Sequence, residues 1–164
     1  MSDDLHAAAT AVLAAARARG WKIVTAESCT GGLVAGALTE IAGSSDVFDR
    51  GFVTYSNAAK QQVLGVPANI LREHGAVSRE TAEAMARGAL SKAKVDLAVA
   101  ITGIAGPGGG GPGKPVGLVH FAASTRAGAL VHSEQRYGDI GRNAVRQKSV
   151  LQALAMLKEM VEKC

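Results

Sequence analysis

A three-layer α/β/α sandwich on a mixed, mostly parallel sheet is the fold this chain predicts, and three features predict it. Apolar runs with strand chemistry alternate with segments of helical period along the first two-thirds of the chain, as crossover connections require. Residues 95–102 read Val-Asp-Leu-Ala-Val-Ala-Ile-Thr, a nearly continuous apolar run suited to a central strand covered on both faces. Segments 116–125 and 129–136 then read as two strands joined at Arg126-Ala127-Gly128, which adds one antiparallel hairpin.

The elements follow in order. Ser2 with Asp3 and Asp4 is a good helix start; Leu5, Ala9, Val12, Leu13 and Ala16 fall on one face, and Gly20 closes the helix. Residues 22–26 form the first strand, and a polar turn leads into a helix over 31–42 that Gly43-Ser44-Ser45 breaks. Residues 50–55 carry a strand signal in Phe52, Val53 and Tyr55. Short helices over 58–64 and 68–74 end at Gly65 and Gly75, and Ser78 starts a longer one reaching about Ala93. After the 95–102 strand, seven of the twenty glycines crowd into 103–113, which predicts a flexible or backbone-exposing loop. The hairpin precedes a final helix over 141–162 with an apolar stripe of Val145, Val150, Leu151, Leu154, Leu157 and Val161. That long aliphatic helix makes a homodimer an expectation.

Length and composition bound the rest. A chain of 164 residues suits one domain, 1–164, and 48 % hydrophobic against 20 % charged residues marks it as globular. No apolar run reaches the roughly 18 residues of a membrane helix, and the acidic N-terminus lacks a secretory signal's basic flank, so the expected location is cytoplasmic. The net charge of +4 is dispersed and seldom interleaved with aromatics, which favours a basic surface or a small anionic ligand over nucleic acid. Cys29 and Cys164 are far apart in a chain without secretory features and predict no disulfide.

The chemistry concentrates in 25–32, Thr-Ala-Glu-Ser-Cys-Thr-Gly-Gly, where a strand turns into a helix. A helix start presents unpaired N–H groups and a positive dipole end, which stabilise a nucleophile or an anion. Ser28 ends the first strand and Lys60 lies just past the second, at the sheet edge where α/β folds place their sites. A lysine of lowered pKa can serve there as base to the serine, with Tyr55 and Asn57 placed to orient either group. A capping Ser28 and a solvated Lys60 remain the plain alternatives, and Cys29 is a rival nucleophile. Arg142, at the start of the last helix, suits a phosphate monoester, with Arg146 one turn on.

Other chemistries find little support. Gly108, Gly113 and Lys114 satisfy Gly-x-x-x-x-Gly-Lys, but Pro115 replaces the magnesium-binding hydroxyl and a strand follows where a P-loop needs a helix. His6, His74, His120 and His132 lack metal-ligand spacing, no Cys-x-x-Cys occurs, and Gly-x-Ser-x-Gly is absent around Ser28.

Six blocks carry a resemblance: 25–32, Ile-Ala-Gly-Ser-Ser (41–45), Gly-Phe-Val-Thr-Tyr-Ser-Asn-x-x-Lys (51–60), His-Gly-Ala-Val-Ser (74–78), Thr-Gly-Ile-Ala-Gly-Pro (102–107) and Lys-Pro-Val-Gly (114–117). Together they resemble the CinA C-terminal domain, the nicotinamide-nucleotide amidohydrolase family, over nearly the whole chain. The resemblance implies hydrolysis of the carboxamide of nicotinamide mononucleotide to nicotinic acid mononucleotide and ammonia in pyridine-nucleotide salvage, without metal or cofactor. It implies Ser28 as nucleophile, Lys60 as base, Tyr55 as assisting hydroxyl, Thr102 as the site threonine before the glycine loop and Arg142 as the residue holding the nucleotide. Backbone N–H groups of Thr30, Gly31 and Gly32, or of the loop from Gly103, are the expected oxyanion donors. The alternative is a non-catalytic nucleotide-binding or regulatory domain linked to competence, which would need neither Ser28 nor Lys60.

Overall fold

A computed structural model describes all 164 residues. Helix α1 (Asp3–Arg19) starts on Ser2, whose hydroxyl accepts from Leu5 N, and ends on Gly20 in the left-handed conformation. Strand β1 (Ile23–Glu27) is buried at every position. There follow α2 (Leu33–Thr39), a 3-10 turn at Ser44–Asp46, β2 (Phe48–Val53), α3 (Asn57–Leu64), α4 (Ala68–His74) and α5 (Arg79–Ala93). Strands β3 (Leu97–Gly103), β4 (Leu118–Thr125) and β5 (Leu130–Arg136) and helix α6 (Arg142–Lys163) complete the chain.

The five strands form one mixed sheet in the order β2-β1-β3-β4-β5. β1 pairs in parallel with β2 and β3, whereas β3–β4 and β4–β5 are antiparallel. Helices cover both faces. On one, Ile23, Leu97, Val99, Ile101, Val119 and Phe121 meet the apolar sides of α1, α2 and α6. On the other, Ala26, Ala98, Ala100 and Ala122 face Ala82, Met85, Ala86 and Ala89 of α5. Small side chains on that second face let α5 lie close to the strands. The stripe of α6 packs inside the chain, with Val145, Val150, Leu154, Leu157 and Val161 in the first core and Leu151 partly buried against it. Each such fully buried aliphatic side chain contributes about 1.5–3 kcal/mol.

Most boundaries shift by one to three residues from the sequence expectation, and three differences bear on the site. β2 spans Phe48–Val53 rather than 50–55, because beyond Val53 the carbonyls of Thr54 and Tyr55 turn away from the ladder to accept hydrogen bonds from Lys60. α2 begins at Leu33 rather than at residue 31, because Gly31 and Gly32 take positive φ values of 56° and 102°. The glycine-rich segment is tied down as well as backbone-exposing: Gly111 and Lys114 form an antiparallel bridge, and Lys114 Nζ donates to His74 O at 2.6 Å. That bond caps the end of α4, a structural use of the lysine unlike a phosphate-binding one.

The sheet extends past its strands at one edge. Ser28 N donates to Ile101 O and Thr54 N to Glu27 O, both at 2.9 Å, so the segments leaving β1 and β2 stay in register for another residue. This fixes where Ser28 and the start of α3 emerge.

Candidate active site

The turn after β1 is held by the residue that precedes the serine. Glu27 is completely buried, and its carboxylate accepts from Gly32 N at 3.2 Å, Val34 N at 3.0 Å and Ala35 N at 3.0 Å. A carboxylate at a helix N-terminus satisfies donors that would otherwise be orphaned and complements the dipole. Gly31 N donates to Ser28 O at 3.0 Å and closes the turn. The N–H groups of Cys29 and Thr30 donate to no protein acceptor. The expected donor set at 30–32 is therefore redistributed: Gly31 N and Gly32 N are engaged within the turn, while the N–H groups of Thr30 and Cys29, both buried residues, are without a protein partner.

Helix α3 brings Lys60 to the serine. Ser56 caps it by accepting from Ala59 N, and Gly65 ends it in the left-handed conformation. Lys60 is only 1 % exposed, with Nζ 2.9 Å from Ser28 Oγ, 2.8 Å from Thr54 O and 3.3 Å from Tyr55 O. Burial lowers the Lys60 pKa, because it disfavours the ammonium form. A neutral amine has two N–H donors and one lone pair, so with the two carbonyls taking the protons, the lone pair faces the Ser28 hydroxyl. An ammonium in the same place donates all three. The pocket thus holds the amine in one position through a proton transfer.

Cys29 is a different case. It is buried among the α2 and α6 core residues, and burial pushes its thiol up to about 12, so at neutral pH it is a thiol rather than a nucleophilic thiolate. Cys29→Ala is expected to retain activity within about threefold, and iodoacetamide to leave the folded enzyme active; loss of turnover in either assay would return the nucleophile's role to sulfur.

The remaining expected residues gather around the same strand ends. Arg142, exposed at the start of α6, donates from Nη1 to Gly106 O at 3.0 Å and from Nη2 to the Tyr55 hydroxyl at 2.9 Å. It thereby ties the glycine loop to the segment after β2. Tyr55 is 61 % exposed and its hydroxyl partners Arg142, while its carbonyl partners Lys60. Thr102, 1 % exposed, donates to Ala76 O at 2.7 Å, and Gly103 ends β3. Asn57 is exposed at the first position of α3. His120 and His132, scattered in sequence, meet on β4 and β5 with Nδ1 and Nε2 2.9 Å apart, yet no group of three potential metal ligands forms.

The family model described as the CinA C-terminal domain matches residues 5–161. The chain belongs to the CinA C-terminal domain family. Among curated CinA-family relatives, it is 48 % identical over 160 residues to the nicotinamide-nucleotide amidohydrolase PncC of Enterobacter agglomerans, covering 96 % of each chain. It is 50 % identical to a CinA-like protein of Geobacter sulfurreducens over 91 % of this chain, but spans only 36 % of that longer protein. Among solved CinA structures, the competence/damage inducible protein CihA of Agrobacterium tumefaciens superposes with a TM-score of 0.96 at 53 % identity, covering 99 % of this chain and 98 % of the other. A CinA superfamily protein of Klebsiella pneumoniae gives a TM-score of 0.93 at 41 % identity, covering 98 % and 99 %.

Within this CinA domain, two residues escaped the sequence reading of the site. Glu27 was unread because its partners are backbone N–H groups of the following turn; an acidic residue just ahead of a helix start was the available signal. Arg146 was noted only as a neighbour of Arg142, and its contacts, to Cys29 O and Thr30 O, join residues over a hundred positions apart.

Proposed function

We propose that this protein hydrolyses the carboxamide of nicotinamide mononucleotide, releasing ammonia and nicotinic acid mononucleotide, by a serine/lysine mechanism. The observation that carries the reading is the buried Lys60 amine 2.9 Å from Ser28 Oγ, with its pKa lowered by desolvation. The near-full-length similarity to a nicotinamide-nucleotide amidohydrolase supports the choice of substrate. A site that only bound a nucleotide would gain nothing from burying a lysine against a serine.

In the proposed sequence, neutral Lys60 takes the Ser28 proton as Oγ attacks the carboxamide carbon. The resulting oxyanion lies within the reach of the unpartnered N–H groups of the turn, with Cys29 and Thr30 as donors. The Lys60 ammonium, steadied by the Thr54 and Tyr55 carbonyls, gives its proton to the departing nitrogen, and ammonia leaves. Water attacks the acyl-serine with Lys60 again as base, which frees the carboxylate product and restores the Ser28 hydroxyl. Arg142, with the Tyr55 hydroxyl beside it, holds the phosphate, so binding energy remote from the amide positions the reacting carbon. The same reading takes the protein as cytoplasmic.

Ammonia release from nicotinamide mononucleotide by the purified protein tests the proposal; no release above a Ser28→Ala control would refute it. Its pH dependence has a fixed sign. Since the ammonium form of Lys60 cannot accept a proton, kcat/KM is expected to rise with pH along a one-proton limb whose midpoint lies below the ordinary lysine value of about 10.4. A rate independent of pH between about 5 and 9 would argue that a different group acts as base.

A further inference from the structure

Arg146 sits one turn beyond Arg142 on α6, half-buried, and is committed to backbone rather than to a carboxylate. Its Nε donates to Cys29 O at 3.1 Å, and its Nη2 lies 3.5 Å from Thr30 O. Two successive carbonyls of the nucleophile turn therefore point at one guanidinium. In a trans peptide the N–H points opposite to the C=O of the same unit. The Cys29 carbonyl and the Thr30 N–H belong to one such unit, so Arg146 grips the face of the peptide opposite its open donor. The following unit is already closed, since Gly31 N donates to Ser28 O.

The packing around this contact is tight enough to be specific. A Cβ at Gly31 would come within 3.2 Å of Arg146 Nη2, at a residue whose φ of 56° already favours glycine. Glu27 holds the turn through its N–H groups at 32, 34 and 35, and Arg146 holds it through its carbonyls at 29 and 30. Between the two clamps, the Thr30 N–H is left without an internal partner.

We infer that Arg146 is a positioning residue for the oxyanion site: by binding the Cys29 and Thr30 carbonyls, it orients and polarises the Cys29–Thr30 peptide, whose N–H receives the developing oxyanion. A permanent positive charge on the carbonyl end draws electron density from the amide and strengthens the N–H as a donor. The effect falls on the transition state, where the oxygen becomes charged, and not on the ground-state carboxamide. Arg142 and Arg146 thus divide their work, the first serving the phosphate and the second the reacting carbonyl.

The inference rests on Ser28 as nucleophile, and its test uses two readouts. In nucleotide turnover, Arg146→Gln is expected to lower kcat about 10–100-fold with KM within about twofold of wild type, Arg146→Lys to recover most of that loss, and Arg142→Gln to raise KM instead. A rise in KM at constant kcat for Arg146→Gln would assign it to phosphate binding and overturn the inference. The second readout is the rate at which an alkyl fluorophosphonate modifies Ser28. There Oγ bonds to phosphorus, fluoride leaves, the serine proton passes to Lys60, and the phosphoryl oxygen takes the oxyanion position. A roughly 10-fold or larger drop in Arg146→Gln, with unchanged melting temperature, supports the inference. Equal probe rates in wild type and Arg146→Gln overturn it whatever the natural substrate. A wild-type protein that takes the probe but releases no ammonia sinks the substrate reading alone.

Discussion

Ser28→Ala and Lys60→Ala are each expected to lower kcat by about 10⁴-fold or more, and the double variant to be no worse than either single one. Non-additivity is the informative part, because residues that act as one unit lose the whole chemical step when either is removed. The geometry leaves little room for a substitute. Lys60 Nζ is 2.9 Å from Ser28 Oγ, and no other side chain reaches that hydroxyl to replace the amine. Ammonia release by the four proteins under saturating nucleotide checks the prediction. Multiplicative losses in the double variant would mean that serine and lysine act in separate steps.

The second large effect is on stability. Glu27→Ala is expected to cost about 3–5 kcal/mol, since it strips a fully buried acceptor from three backbone donors. For a chain of this size that is a drop of about 6–20 °C in melting temperature, and a sizeable part of the 5–15 kcal/mol that typically holds a domain folded. Glu27→Gln should recover part of the loss, because the amide oxygen can still accept while its NH2 group opposes one of the N–H donors at 32, 34 or 35. Thermal unfolding followed by circular dichroism measures both. A melting temperature unchanged in Glu27→Ala would mean that the donors find other partners and that the clamp is dispensable.

The parts of this protein that were legible in its sequence are those specified by neighbours along the chain. The start of α1 was readable because Ser2 caps it and Gly20 ends it, and β3 because a strand with helices on both faces must be apolar throughout. The meeting of Ser28 with Lys60 could be raised from the residues, because both follow strands that end at one sheet edge. The resemblance made it the leading reading. What escaped was set by contacts that sequence does not encode locally. The turn from β2 toward α3 is shaped by Lys60 drawing two carbonyls out of the ladder, which moved the strand's end from 55 to Val53. The Tyr55 hydroxyl, expected to assist the serine and lysine, accepts a hydrogen bond from Arg142, 87 positions away, a contact that no local pattern announces. Likewise, the partners of the α6 stripe, on the sheet and on α1, lie far from it along the chain.

The separations within the site carry a consequence for how the protein matures. Ser28 and Lys60 are 32 positions apart, Tyr55 and Arg142 are 87 apart, and Cys29 and Arg146 are 117 apart. No segment of the chain holds the proposed nucleophile together with its proposed base and with the arginines that reach the site. On the proposed mechanism, a chain emerging from synthesis carries only an ordinary serine and a solvated lysine, and it is expected to turn over no nucleotide until α6, which brings Arg142 and Arg146 to the site, has docked. Reactivity is thus a late property of assembly, and regained turnover reports closure of the tertiary structure after the helices themselves have formed.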